Sequence, residues 1–326
     1  GDASITLDGP GATTTLNANI VTVGQDITIS DNVVIGEGGD ITLSTGATSA
    51  GDIHITGTTS GTAGGVKENL TLITGSGTAD LDGAVGAGGN IGTLTLQADN
   101  AGCTGLIRFN GDVTADTIVT YNQGYDVSFL EDVSITNDVT FQNTGIITLG
   151  NQNADELLFS GGLDTTAASQ TRIRGRVRTA GAQMDIGDLY IPGGSALLDT
   201  TNAGNNPTGA DINVGDVDSQ STLEINAGTG GDVTIASYNQ HPGNGALAVI
   251  QSNNTTVTGA VDLATLDLQD TENNITFNDS VTATTLTTYN QDYNVIFNAG
   301  GTITNDATFS NTGTVTLGND AADSIT

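Results

Sequence analysis

At 326 residues the chain has room for two domains or one long repeat array, but with 36% hydrophobic and 4% aromatic residues it lacks the material for one thick core. Six Lys and Arg against 37 Asp and Glu give a net charge of −31, which repels a phosphate backbone and excludes nucleic-acid binding. No stretch approaches the roughly 20 apolar residues of a membrane helix, which excludes that mode of insertion.

In chain order, one local phrase recurs: a Gly or Asn turn, an Asp, then an apolar–polar–apolar triplet. It follows Asp26, Asp40, Asp52, Asp126, Asp138, Asp211 and Asp232. Alternation over so few residues predicts short strands with one buried face. Asp, Asn and Gly suit the corners because they tolerate left-handed backbone or bond to it locally. Runs with helical periodicity are missing, so the expected class is all-β.

The last 46 residues repeat an earlier stretch without a gap. Val113–Leu158 and Val281–Thr326 share 26 identities at a constant shift of 168. Upstream the match continues at growing shifts, 172 for Thr93–Gln97 on Thr265–Gln269 and 192 for Gly38–Asp40 on Gly230–Asp232. Strands are kept while corner loops gain or lose residues. This predicts two related modules, 1–155 and 156–326, in a continuous rod without a flexible linker.

The Phe residues set the coil length. Phe109 to Phe129 is 20 residues, and Phe277 to Phe297 is again 20. Coils of about 20 residues would stack these rings in a parallel β-helix, whose strands lie ~4.8 Å apart. Parallel crossovers predict a right-handed coil. Some sixteen coils would give a rod on the order of 75–80 Å. Tandem β-sandwiches, the rival, would need a buried Trp and hairpin turns, and neither is present.

The phrases Leu70–Gly75, Leu81–Val85, Gly105–Gly111 and Thr120–Gln123 share a Gly/Thr/Asn-rich strand texture that runs through nearly the whole chain. In that texture the chain resembles the giant repetitive bacterial surface proteins related to filamentous haemagglutinin. The resemblance implies a secreted right-handed parallel β-helix serving as a stalk, adhesin or fibre, extracellular or on the bacterial surface. The secretion-signal region of such proteins is not visible near Gly1, so the chain is expected to be processed or a slice of something longer. Asn319–Thr326 and Gly1–Thr6 read as parts of one continuing pattern without caps. Head-to-tail self-association, or continuation in a longer chain, is the corresponding expectation. Cell-surface glycans are candidate partners.

Arg172, Arg174, Arg176 and Arg178 are four of the six cations, spaced by two. On one strand they would share one face, with Ile173, Gly175 and Val177 inward. They could pair with carboxylates of neighbouring coils, dock an acidic face of another subunit, or grip a polyanion. Gly38-Gly39-Asp40 and Gly230-Gly231-Asp232 begin like a calcium-binding glycine-rich nonapeptide but lack its remainder, so they read as turns. Weak surface calcium is the only ion binding expected, and no cofactor is. Tyr-Asn-Gln at Tyr121, Tyr238 and Tyr289 reads as a structural corner. His54, His241 and Cys103 have no partner at metal or catalytic spacing. No pair among the scattered carboxylates stands out as acid and base, so the chain reads as non-enzymatic. The alternatives are a carbohydrate-active β-helix enzyme, a lyase or hydrolase, and an ice- or mineral-binding array built on Thr282/Thr284 and Thr302/Thr304.

Overall fold

A computed structural model describes residues 3–9, 13–62, 65–87, 91–99, 102–240 and 245–326. Among these residues there is no helix. Short strands pair in parallel from coil to coil, giving a β-solenoid of about 14 turns of about 22 residues. The chain forms two compact units. The first comprises Gly1–Asn151, Asp155–Gly161 and Ala167–Ser169, the second Gln152–Ala154, Gly162–Thr166 and Gln170–Thr326.

In the first unit a coil carries three strands, for example Ile27–Ile29, Asn32–Ile35 and Asp40–Ser44. Each stacks on its counterpart in the next coil: Ile27–Ile29 on Ile53–Ile55, Asn32–Ile35 on Thr59–Ser60, and Asp40–Ser44 on Glu68–Ile73. The strands are short because a coil must turn before its alternating pattern runs out. Their inward residues, such as Ile27, Ile29, Leu43, Ile53 and Ile55, are fully buried. In this coil six buried apolar side chains, Ile27, Ile29, Val33, Ile35, Ile41 and Leu43, suffice because each coil is covered by the next, which is how a 36% hydrophobic chain acquires a core.

The expected 20-residue coil holds where the Phe residues lie and lengthens elsewhere. Ile5, Ile27, Ile53, Ala79, Ile107, Val127 and Ile147 stack in register at steps of 22, 26, 26, 28, 20 and 20 residues. In the second unit Met184, Ile212, Val233, Thr255, Ile275, Val295 and Val315 stack at steps of 28, 21, 22, 20, 20 and 20. The longer coils put their extra residues into corners, so the turns number about 14, not sixteen. Phe109 lies directly over Phe129, ring centroids 5.0 Å apart and planes 6° from parallel. Phe277 and Phe297 repeat this at 5.2 Å and 11°.

The recurrent Asp is a tie between coils. Asp26 Oδ1 accepts from the backbone N–H of Asp52, and Asp52 Oδ1 from that of Thr78, at 2.9 and 2.7 Å. Asp126 holds Ile146 N–H at 2.6 Å, Asp211 holds Asp232 N–H at 2.9 Å, and Asn294 holds Thr314 N–H at 2.7 Å. Inside the corners, buried hydroxyls and amides close the turns. Thr45 Oγ1 donates to Gly51 O at 2.6 Å, and Gln97 Oε1 accepts from Thr74 N and Gly75 N at 3.0 and 3.1 Å. These bonds satisfy backbone groups that a tight corner would otherwise bury unpaired.

Candidate functional site

The arginine-rich segment is built from two strands, not one. Gln170–Ile173 and Gly175–Arg178 are separated by a corner at Arg174, where Gly175 takes φ +107°, a conformation open to glycine but costly for other residues. Ile173, Gly175 and Val177 are buried as the alternation requires. The four arginines all lie on the outer surface, but Arg172 is on one side of the corner and Arg176 and Arg178 on the other. This corrects the single-face reading: a spacing of two identifies the inside and outside of a strand but not the bend between strands.

Their surroundings differ accordingly. Arg172 Nε donates to Gln170 Oε1 at 2.9 Å, and its guanidinium carbon lies 5.9 Å from the ring centroid of Tyr190, its partner in register. Arg174 Nε donates to Asn153 Oδ1 at 3.0 Å. Arg178 Nε donates to Asp199 Oδ2 at 3.1 Å, and the carboxylate is almost wholly buried. Asp199 also accepts from Thr201 N, Thr201 Oγ1 and Ala203 N at 2.8, 2.6 and 2.9 Å, so both oxygens are used. That cage holds a loop whose Asn202 and Ala203 have φ of 53° and 56°. Of the four, Arg178 is therefore a structural residue.

Arg176, Leu197 and Glu224 follow one another in register on three successive coils. With Asn153, Gly175 and Ser195 they line a polar depression of about 180 Å³. Asn153, Ser195 and Glu224 were not foreseen as parts of this site. Their one sequence signal was the Gly193–Gly194 pair: a Cβ on Gly194 would come within 2.2 Å of Asn153 Oδ1 and 2.5 Å of Arg174 Nε.

In the first unit the remaining cations are carboxylate-bound. Arg108 grips Asp80 at 2.6 and 2.9 Å, and Lys67 Nζ is 2.5 Å from Asp116. His54 is not alone: its Nε2 lies 2.8 Å from Asp82 Oδ2, and Asn110 Nδ2 donates to Asp82 Oδ1 at 2.8 Å. The His54 hydrogen bond, ahead of the Asn110 one, holds the Asp82 carboxyl below its usual range against the pull of burial. His241 lies outside the described residues. Cys103 is buried, its Sγ 3.5 Å from Ala47 O.

The other flagged residues serve the frame. Asp40 accepts from Asn69 Nδ2 at 2.6 Å, and Asp232 from Asn253 and Asn254 Nδ2 at 2.8 and 3.0 Å. Among the described residues no three His, Cys, Asp or Glu side chains converge on a common point. Tyr238 is buried and donates to Ala246 O at 2.7 Å. In the other two Tyr-Asn-Gln corners the buried tyrosine is the one four residues on. Tyr125 and Tyr293 accept from the N–H of Tyr121 and Tyr289 at 2.9 and 3.1 Å. Thr282 and Thr302 lie in register, with Asp262 at the same place one coil earlier.

Compared with protein-family models, curated proteins and solved structures, the chain matches none.

Proposed function

We propose that the chain is a non-enzymatic, extracellular structural protein, a β-solenoid segment of a fibre or adhesin akin to the filamentous-haemagglutinin-like surface proteins of bacteria. The observation that carries this reading is what the polar side chains do. The Asp and Asn residues that recur at strand starts accept backbone N–H groups of the next coil, as at Asp26, Asp52, Asp126 and Asp211. Polar chemistry is thus invested in coil-to-coil cohesion. Load along such a stack is shared by many parallel hydrogen bonds, each of about 1 kcal/mol net.

The stacking of coil on coil in register supports the same reading, since each coil presents to the next the pairing edge that it receives from the one before. Attachment is then the work of outer faces and corners, with the Arg172–Arg178 segment the candidate contact. The test has two arms. Sedimentation over a hundredfold concentration range should show self-association, and acidic and neutral polysaccharides incubated with the protein should remain uncut. Release of reducing ends or unsaturated products would replace this reading with that of a carbohydrate-active enzyme.

A further inference from the structure

Two of the six cations are anchored on neutral groups. Lys67, Arg108 and Arg178 pair with carboxylates of their own chain. Arg172 Nε donates instead to Gln170 Oε1 and Arg174 Nε to Asn153 Oδ1, at 2.9 and 3.0 Å. Among the described residues neither makes an ion pair, and the terminal N–H groups of both have no protein acceptor. In a chain with 37 Asp and Glu, two guanidinium forks held on amides present donors that a carboxylate from outside can take.

Arg172 also opens a column of outward residues on the second unit. Arg172, Tyr190, Asp218, Asn239, Asp262 and Thr282 follow one another in register on successive coils. The guanidinium is steadied over the Tyr190 ring, 5.9 Å from its centroid. Four strand spacings away, ~19 Å, stands Asp262. It is exposed, its Oδ1 accepts from Gln240 Nε2 at 3.0 Å, and residues 179–326 contain no Lys or Arg to neutralise it. The column therefore runs from a cation to an anion along one face.

From this arrangement we propose that the column pairs with the same column of a second copy, antiparallel about a two-fold axis, with Arg172 of each copy on Asp262 of the other. The pairing extends the self-association reading from coil stacking to an outer face, and rests on it. A two-fold contact sets one residue against another and the second against the first, so a face ordered from cation to anion complements itself when reversed. Parallel pairing would set Arg172 on Arg172. In the antiparallel pair Tyr190 meets Asn239, and Arg174 lies beside Arg172 and adds to the attraction. Asp218, which has a contact within its own chain, falls at the axis, where like charges meet. Two copies of net charge −31 repel at long range, but that repulsion is screened beyond ~8–10 Å while the facing pairs are not. A polyanionic glycan would instead lay its charges along the acids of the same column. The column is ~24 Å long and its strands ~10–14 Å wide, on the order of 300 Å² per copy against ~800 Å² in a stable complex. One pair is therefore weak, and it becomes firm when many copies are aligned in a fibre.

The test is sedimentation of the whole chain over a range of concentrations at about 150 mM salt. Wild type should pair, and Arg172→Glu or Asp262→Arg alone should weaken pairing at least ~tenfold by setting like charges opposite each other. An equimolar mixture of the two variants should pair as tightly as wild type, because each supplies the charge that the other lacks. Arg172 and Asp262 of one copy are ~19 Å apart, so no effect within a chain produces that recovery. Asp218→Asn should tighten the pair by removing the like charges at the axis. Circular dichroism establishes that each variant is folded. Single variants that pair like wild type, a mixture that does not recover, or a looser pair with Asp218→Asn would each overturn the inference. So would tetragalacturonate binding through Arg172 in a wild type that does not pair. Electron microscopy of the wild type separates the two levels. End-to-end filaments that never lie side by side sink the pairing alone, and copies that pair through this face without growing end to end sink the fibre reading alone.

Discussion

Asp199 shows how one residue can serve a frame and mimic a functional site. Its carboxylate is almost wholly buried, takes four hydrogen bonds, and neutralises Arg178, itself only 18% exposed. Removing one partner of a buried pair leaves the other charge uncompensated. Asp199→Ala is expected to cost about 3–5 kcal/mol in urea unfolding, and a loss below ~1 kcal/mol would contradict the cage. Two other carboxyls should respond to pH with opposite signs. Burial pushes Glu68 up, but hydrogen bonds from Thr62 and Gly38 outweigh it and leave its pKa lowered. Its contribution is present above the unfolded value and lost as pH falls through the folded one. Burial first, then the charges of Asp155, Asp112 and Asp132, raises Glu131. Protonation of Glu131 therefore favours the folded state as pH falls. At pH 7 Glu68→Gln should destabilise and Glu131→Gln should stabilise, both differences shrinking towards pH 3. The check is urea midpoints at a series of pH values, and identical pH dependence of both variants would refute the assignment.

At the scale of strands and corners, the Phe columns are the firmest link between sequence and fold. Phe129 stacks on Phe109 and meets Phe141 edge-on at 6.2 Å, and Phe297 stacks on Phe277 and meets Phe309 at 6.4 Å. Phe129→Ala and Phe297→Ala should each cost about 3–5 kcal/mol, read from denaturant unfolding. A cost near zero at either would mean that its column is not packed. The 20-residue Phe spacing was legible because those coils have minimal corners. The steps of 26 and 28 from Ile27 to Ile107 were not, since an added corner residue has no periodicity to betray it. The Arg segment failed for a related reason: alternation runs unbroken through TRIRGRVR while the backbone turns at Gly175. The recurrent Asp was visible, but its use was not, because the N–H it holds belongs to a residue some 20–26 positions away. The polar depression on the second unit was least legible, being assembled from Asn153, Arg176, Ser195 and Glu224 on separate coils.

For the whole molecule, charge and repetition dominate. A net charge of −31 with six cations means that like-charge repulsion opposes folding more than ion pairs aid it. Screening is strong once the Debye length falls to ~8–10 Å. The urea midpoint should rise from 10 mM to 200 mM NaCl, and a fall would indicate that the few ion pairs outweigh the repulsion. Repetition supplies the functional argument, since coils that pair in register through backbone and Asp–N–H ties can be continued by coils of another copy. Electron microscopy of the purified protein over a range of concentrations tests this most directly. The account predicts particles that join end to end into filaments as concentration rises, and dispersed single particles that never associate would contradict it.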